Sequence, residues 1–540
     1  MRRTQAAHSP QDSSEELMDQ VNKTKARDLK VETESVETDD LGSQWTRRGL
    51  LTGIAGAMAS STASAQGPVS SSGPVTRVRR DDLYYLVNRA SFGYTPELYA
   101  EAETRGYDGW LDWQLNPATI RDSELDDILT NYPTLTMSRY ELFLGYGPSE
   151  SLGTDGDVTR ALSAARMQRA VKSKRQLFER IVDFWADHLN VPQDDNVGLR
   201  LFRTVYDREV IREHALGSFP EMLMASAKSA SMLIYLNGVE NVAGAPNENY
   251  SREVMELHTL GVNGGYNEND VRELARCFTG WSAFPPTSSL AGEFRFDSTK
   301  HDYGSKVVLG QTIPAGGGVS DGEFMLNYLA LHPTTAEYIS KELAIHLLDY
   351  DPPQALVDEA KSVYLATAGN IKEVVRSILD KKWITRVNRI EGQKLRRPMH
   401  YVCNILRTPG VSMESPEGVL GMLRLLGQAP FGWTSPDGYP NEIEAWGSGV
   451  LPRWTFAFYV FLETLPGVTA STGDLYQALG SPNLSNITAR CGELLAGGNI
   501  DPDDLRDVET FVQSGATQAG GEIMRNALAL VASSPSYQYL

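Results

Sequence analysis

Residues 157–192, DVTRALSAARMQRAVKSKRQLFERIVDFWADHLNVP, decide the fold class. Apolar residues recur at helical spacing along this stretch, and Pro192 ends it, because a helix interior does not accept proline. The pattern predicts one long amphipathic helix over 157–191. With Ile181 set at 0°, Leu177 falls at about −40°, Trp185 at about 40° and His188 at about −20°. His188 is thus centred on the apolar stripe, while Asp183 and Asp187 point elsewhere. Outward from here the same periodicity dominates. DDLYYLVNRASFG (81–93) reads as a helix stopped near Gly93, and Thr95 caps another that ends at Gly106. Further helical patterns run to 519–533, and Asp270 to Glu273 fits a capping box at the start of one of them. Strand signals are few. The best is KVVLGQTI (306–313), inside a region rich in Gly and Pro, and no alternating βαβ pattern occurs. The fold class is therefore mainly α: a large multi-helical domain with an irregular, partly β insertion around 284–322. Residues 81–540 read as one domain, with a sub-boundary near 385–395. Residues 430–450 form a second long loop.

Composition narrows the function classes. The 540 residues carry a formal net charge of −19, which argues against nucleic acid as a partner and against docking on anionic lipid. The three cysteines, Cys277, Cys403 and Cys491, have no metal-clip spacing and are too few for a disulfide framework. No stretch reaches the ~18 apolar residues of a bilayer span, so the mature protein is not expected to cross a membrane.

The N-terminal region reads as an address. Arg47 and Arg48 precede a short run rich in Gly, Ala and Ser, and Ala63-Ser64-Ala65 supplies a small-x-small cleavage pattern. Residues 1–65 are expected to be a twin-arginine leader cleaved after Ala65, and 66–80 a flexible linker. The partner implied is the twin-arginine translocase, and the location periplasmic or extracellular.

Several motifs together resemble a known family. NRASFG (88–93), YDGWLDWQL (107–115), FWADHL (184–189), the block NENYSREVMELHTLGVNGGYNENDVRELARCFTGW (247–281), HDYGSKVVLG (301–310) and GQAPFGWTSPDGYP (427–440) occur in order. They are similar to the bacterial family called domain of unknown function 1800. Two departures are small: Ser251 stands where the family usually has Ala, and Cys277 is not a hallmark. The resemblance implies export, often beside a co-exported protein related to sulfatases, and it supplies no mechanism.

Candidate chemistry comes from the residues. On a helix over 247–261, Glu253 sits within the apolar stripe, with Asn249 on its flank and His258 on its other edge. A carboxylate on a buried face needs a cation, a metal or a proton. Glu253 and His188 could pair if their helices face each other, either as an acid–base pair or simply as a structural pair fixing helix register. His301 and Asp302, with Lys306, lie in the insertion, where Asp302 could orient His301 as a base or only cap a turn. Gly318-Val319-Ser320-Asp321-Gly322 matches the nucleophile-elbow pattern but lacks a strand leading directly into it. Trp433, Tyr439 and Trp446 could stack on sugars, or fold into a small core of their own.

Two function classes remain. One is a hydrolase of extracellular or envelope polymer, with Glu253, His188, His301 and Asp302 as catalytic groups and Asn249, Lys306, Trp433, Tyr439 and Trp446 meeting substrate. It leaves room for one divalent metal held by Glu253, His258 and His188. The other is a non-catalytic protein that binds polysaccharide or scaffolds a co-exported partner. The leader is testable by itself: intact mass of the exported protein should begin at Gln66, and Arg47→Lys with Arg48→Lys should leave the precursor in the cytoplasm.

Overall fold

Helix α1 (Ser123–Leu129) begins the layer that packs beside a central pair, α2 (Asp155–Lys172) and α3 (Gln176–His188). In this computed structural model residues 81–540 are described, apart from 149–150, 194–195, 286–287, 388–393 and 516–519. The expected leader and linker lie outside the described residues, as does the middle of the expected sub-boundary. The described residues form one compact unit with 25 α-helices and three two-stranded antiparallel sheets. The mainly α class therefore holds. Among the described residues no helix is long and apolar enough to cross a membrane.

The single helix expected over 157–191 is two. The chain breaks at Ser173, which is extended (φ −61°, ψ 139°). Asp122 Oδ2 accepts from Ser173 Oγ at 2.7 Å and from Lys174 N–H at 3.0 Å. Gln176 Nε2 donates to Ser173 O at 2.7 Å and to Ala170 O at 3.2 Å. These side chains satisfy backbone groups that a continuous helix would have paired itself.

The larger hydrophobic core gathers α3, the segment 206–281, the insertion and helices up to Val387. The second gathers Phe92, Met167, Ala170 and Val171 with residues from Met399 to Tyr537. Helix α4 (Val197–Tyr206) packs against α2. The central block folds as α5 (Asn249–Glu253), then a π-helical turn Val254–Thr259, then α6 (Glu268–Cys277). Asn267 and Asp270 form the capping box of α6, three residues upstream of the expected Asp270–Glu273 pair. Asp270 has a second duty: its Oδ1 accepts the N–H of Leu309 at 2.8 Å.

That bond pins the insertion. Strand β1 (Trp281–Ala283) pairs with β2 (Phe294–Phe296), and β3 (Lys306–Val308) with β4 (Gln311–Ile313). The single strand expected over 306–313 is a hairpin. Its two turn residues, Leu309 (φ 50°) and Gly310 (φ 74°), both have the positive φ that a tight hairpin twist requires. Helix α7 (Val319–Ala330) leaves the insertion and α8 (Pro333–Leu347) returns across the first core. Helix α9 (Pro398–Leu406) enters the second core, which α10 (Val450–Phe461), α11 (Ile487–Ala496) and α12 (Gly521–Ser533) complete.

Helix α3 is buried nearly all round. Its apolar stripe (Leu177, Ile181, Trp185) joins the first core, and its polar face meets α2 and α9. Asp183 pairs there with Arg166 and with Arg180 at 3.5 Å. Glu179 takes Arg212 through two bonds of 3.0 Å, and Asp187 takes Arg397 at 2.5 Å. The wheel placed Asp183 and Asp187 away from the core. They do leave the apolar stripe, but a second layer buries them against arginines from other elements. Asp183→Ala would leave Arg166 and Arg180 buried without their carboxylate. Urea denaturation should show a loss of about 3–5 kcal/mol, with part recovered when Arg166→Met is added.

Candidate functional site

The C-terminal end of α3 and the loop 427–441 enclose a cleft. Gly438 makes this approach possible. It holds φ 70°, and a Cβ there would come 2.3 Å from the carbonyl oxygen of Asp187. Polar bonds pin the rest of the loop. Asn190 Nδ2 donates to Trp433 O at 2.9 Å and Ser435 O at 2.7 Å, and Gln193 N–H donates to Phe431 O at 2.9 Å. Tyr439 OH donates to Ala429 O at 2.7 Å. Asp187, His188, Tyr338, Glu342, Arg397 and Asp437 are among the residues lining a cleft with about 60 Å³ of free space.

Three of its titratable groups, Asp187, Glu342 and His188, are shifted from their ordinary ranges. Burial pushes the Asp187 carboxyl up to about 6, with Asp183 adding to the rise and Arg397 opposing it. Burial also raises Glu342, with Glu442 adding, while Lys341 and Lys394 oppose. Its carboxylate makes no ion pair with any described residue. Burial holds His188 down to about 4, so its ring is neutral at pH 7. His188 Nε2 lies 3.1 Å from the carbonyl oxygen of His258. A carbonyl only accepts, so Nε2 carries the proton and Nδ1 is the basic nitrogen. The ring stacks on Phe184 at 5.5 Å.

The expected site residues divide between this cleft and other places. His188 and Tyr439 line it. Glu253 and His301 are not among its lining residues. Glu253 is half-buried: burial raises its carboxyl first, then Glu256 and Asp437, against Arg252. The π turn that follows explains the difference from the wheel. Leu260 N–H reaches back to Met255 O at 2.9 Å, one residue further than in an α-helix, and the face rotates. His258 is carried fully inside. Both its ring nitrogens lack a hydrogen-bond partner among the described residues, and burial with His188 nearby holds it down to about 3. The two rings lie 6.4 Å apart. Among the described residues no three His, Cys, Asp or Glu side chains converge as a metal would need, so Glu253, His258 and His188 form no donor cluster.

His301 and Asp302 point to different partners. His301 is buried, with Nδ1 2.8 Å from Thr279 O and Nε2 3.3 Å from Asp321. Asp302 instead binds Arg276 at 2.8 and 3.2 Å, which holds its carboxyl down to about 2. Asp302 is therefore not the orienter of His301; Asp321 fills that place. Lys306 is wholly engaged, with Asp321 at 2.7 Å, Asp302 O at 2.5 Å and Gly304 O at 3.1 Å. Gly318 caps α7, leaving Ser320 exposed in its first turn, so the elbow-like pattern sits on a helix start. Asn249 is exposed at the start of α5.

Tyr439 and Trp446 are buried together with Leu395, flanked by Trp433, whose Nε1 donates to Asp437 at 2.7 Å. These aromatics form the loop's own small core. Asp187, Glu342, Asp437 and Arg397 were not singled out from the sequence. Asp187 and Asp437 do fall within the FWADHL and SPDGYP motifs, which was the only available signal.

Five imidazoles, His188, His258, His332, His346 and His400, are held below their ordinary value, chiefly by burial. The unfolded chain therefore binds their protons first as pH falls below about 6.5, and stability drops toward pH 4. Asp187 opposes this between about 4 and 6, and the raised carboxyls of Glu253 and Glu342 act in the same sense as Asp187, against the five imidazoles. His188→Gln should make the slope of the urea midpoint between pH 6.5 and 4.5 shallower.

No curated protein and no solved structure matches the chain. The family model described as a protein of unknown function (DUF1800) matches residues 85–539. That span holds the second core, all of the first but Tyr84, the pinned loop and every residue of the cleft, and the chain belongs to the DUF1800 family.

Proposed function

We propose that this protein is an exported hydrolase of extracellular or envelope polymer, working by acid–base catalysis in the cleft at the end of α3. The observation that carries the reading is the presence of two carboxyls raised by burial, Asp187 and Glu342, in one cleft with a neutral histidine. A carboxyl near 6 is ionised at pH 7 yet basic enough to take a proton from water, and Arg397 fixes its orientation. Glu342, raised by burial and with no ion pair to any described residue, is the group that protonates the leaving oxygen in this reading. The attacking water thus loses its proton to Asp187, the bond to the leaving group breaks, and Glu342 protonates that group. Tyr338 offers a ring face beside the reacting bond. Export through the twin-arginine translocase and a co-exported sulfatase-like partner belong to the same reading.

The alternative is a protein that binds polymer without cleaving it. Release of soluble fragments from a panel of envelope polysaccharides and peptidoglycan decides between them. The hydrolase reading expects turnover that falls by about 100-fold or more in Asp187→Asn and in Glu342→Gln, with unchanged circular dichroism. Retention of polymer without any fragment release would sink the hydrolase and favour the binding protein.

A further inference from the structure

A second cavity, sharing no lining residue with the cleft, opens beneath α1. It has about 280 Å³ of free space, near the lower end for pockets that hold small molecules. Leu129 and Leu135 supply an apolar wall, and Arg169, Thr204, Asp207 and Arg212 supply the polar one.

The polar wall is incompletely paired. Arg212 is spent on Glu179 and on Asp207 Oδ2, the latter at 2.8 Å. Asp207 is 2% exposed, and its other oxygen, Oδ1, has no hydrogen-bond partner among the described residues. Thr204 is 1% exposed, and among the same described residues its Oγ1 has none either. Arg208, at the rim, is engaged by Leu135 O at 2.7 Å, Met137 O at 3.1 Å and Glu209 at 2.8 Å. Arg169 differs. Its ion pair with Asp207 is 3.9 Å long, beyond hydrogen-bond reach, and its side chain is only 15% exposed. Burial, with Arg212 beside it, pulls it down to about 10, a cost that a bound anion would offset.

These groups ask for complementary chemistry. A carboxylate oxygen takes only a donor, a guanidinium takes only an acceptor, and a threonine hydroxyl takes either. We propose that this cavity binds a hydroxylated carboxylate of monosaccharide size. The ligand's carboxylate meets Arg169, one hydroxyl donates to Asp207 Oδ1, a second meets Thr204 Oγ1, and the carbon skeleton lies against Leu129 and Leu135. The site stands independently of the cleft and of the hydrolase reading.

Calorimetric titration of the full chain tests it, with glucuronate as probe and glucose and inorganic phosphate as comparisons. Glucuronate should bind once per chain, glucose at least about tenfold more weakly, and phosphate no better than glucose. Arg169→Met should weaken glucuronate by about tenfold or more, Arg169→Lys should restore part of it, and Thr204→Val should weaken it severalfold. Absence of glucuronate binding overturns the proposal. So does glucose or phosphate binding as tightly, or an Arg169→Met protein that melts like wild type and binds unchanged. Should Arg169→Met fail to fold, unchanged binding by both Arg169→Lys and Thr204→Val overturns it.

Discussion

Burying α3 on every side is the constraint on which the rest depends. A helix that carries Glu179, Arg180, Asp183, Asp187 and His188 through the middle of a protein takes charges out of water, which is costly unless each finds a partner. The partners arrive from distant parts of the chain: Arg166 from α2, Arg212 from the π-helical turn Asp207–Arg212 that follows α4, and Arg397, which immediately precedes α9. Each pair ties a separate segment to the same helix. The two hydrophobic cores meet across this charged seam, and its ionic pairs set which elements lie against which.

The candidate cleft follows from the same constraint. At the last turn of α3 the seam reaches solvent, and Asp187 and His188 become partly accessible while keeping buried surroundings. The loop 427–441 closes over that end because Gly438 permits backbone contact with Asp187. Burial then shifts the carboxyls up and the imidazoles down, without any motif built for the purpose. The insertion makes the opposite use of its polar residues. His301, Asp321 and Lys306 satisfy one another and hold the β3–β4 hairpin region against α6 and α7, which leaves that cluster closed.

Local pattern carried much of the fold. Helix positions followed from periodicity and caps, as at Thr95 and Gly106, and the strand signal at 306–313 marked a real β element. Misses arose where a side chain competed with the backbone. Asp122 and Gln176 broke the long helix, Asn267 moved a cap, and the π turn rotated His258 inward and Glu253 outward. Of the site, His188 was legible because an ionisable group inside an apolar stripe is anomalous on its own helix. Glu342 and Arg397 carried no such mark, since each looks like an ordinary surface charge until another layer covers it.

The sequence by itself determined the helical class, the placement of the irregular insertion and the family, because periodicity, turn residues and motif order are properties of neighbouring residues. Only the tertiary structure decided which charges meet. Asp187 and Arg397 are far apart along the chain, and Asp302 and Asp321 compete for one histidine. Those choices depend on desolvation and close approach, and neither exists until both cores have formed around α3.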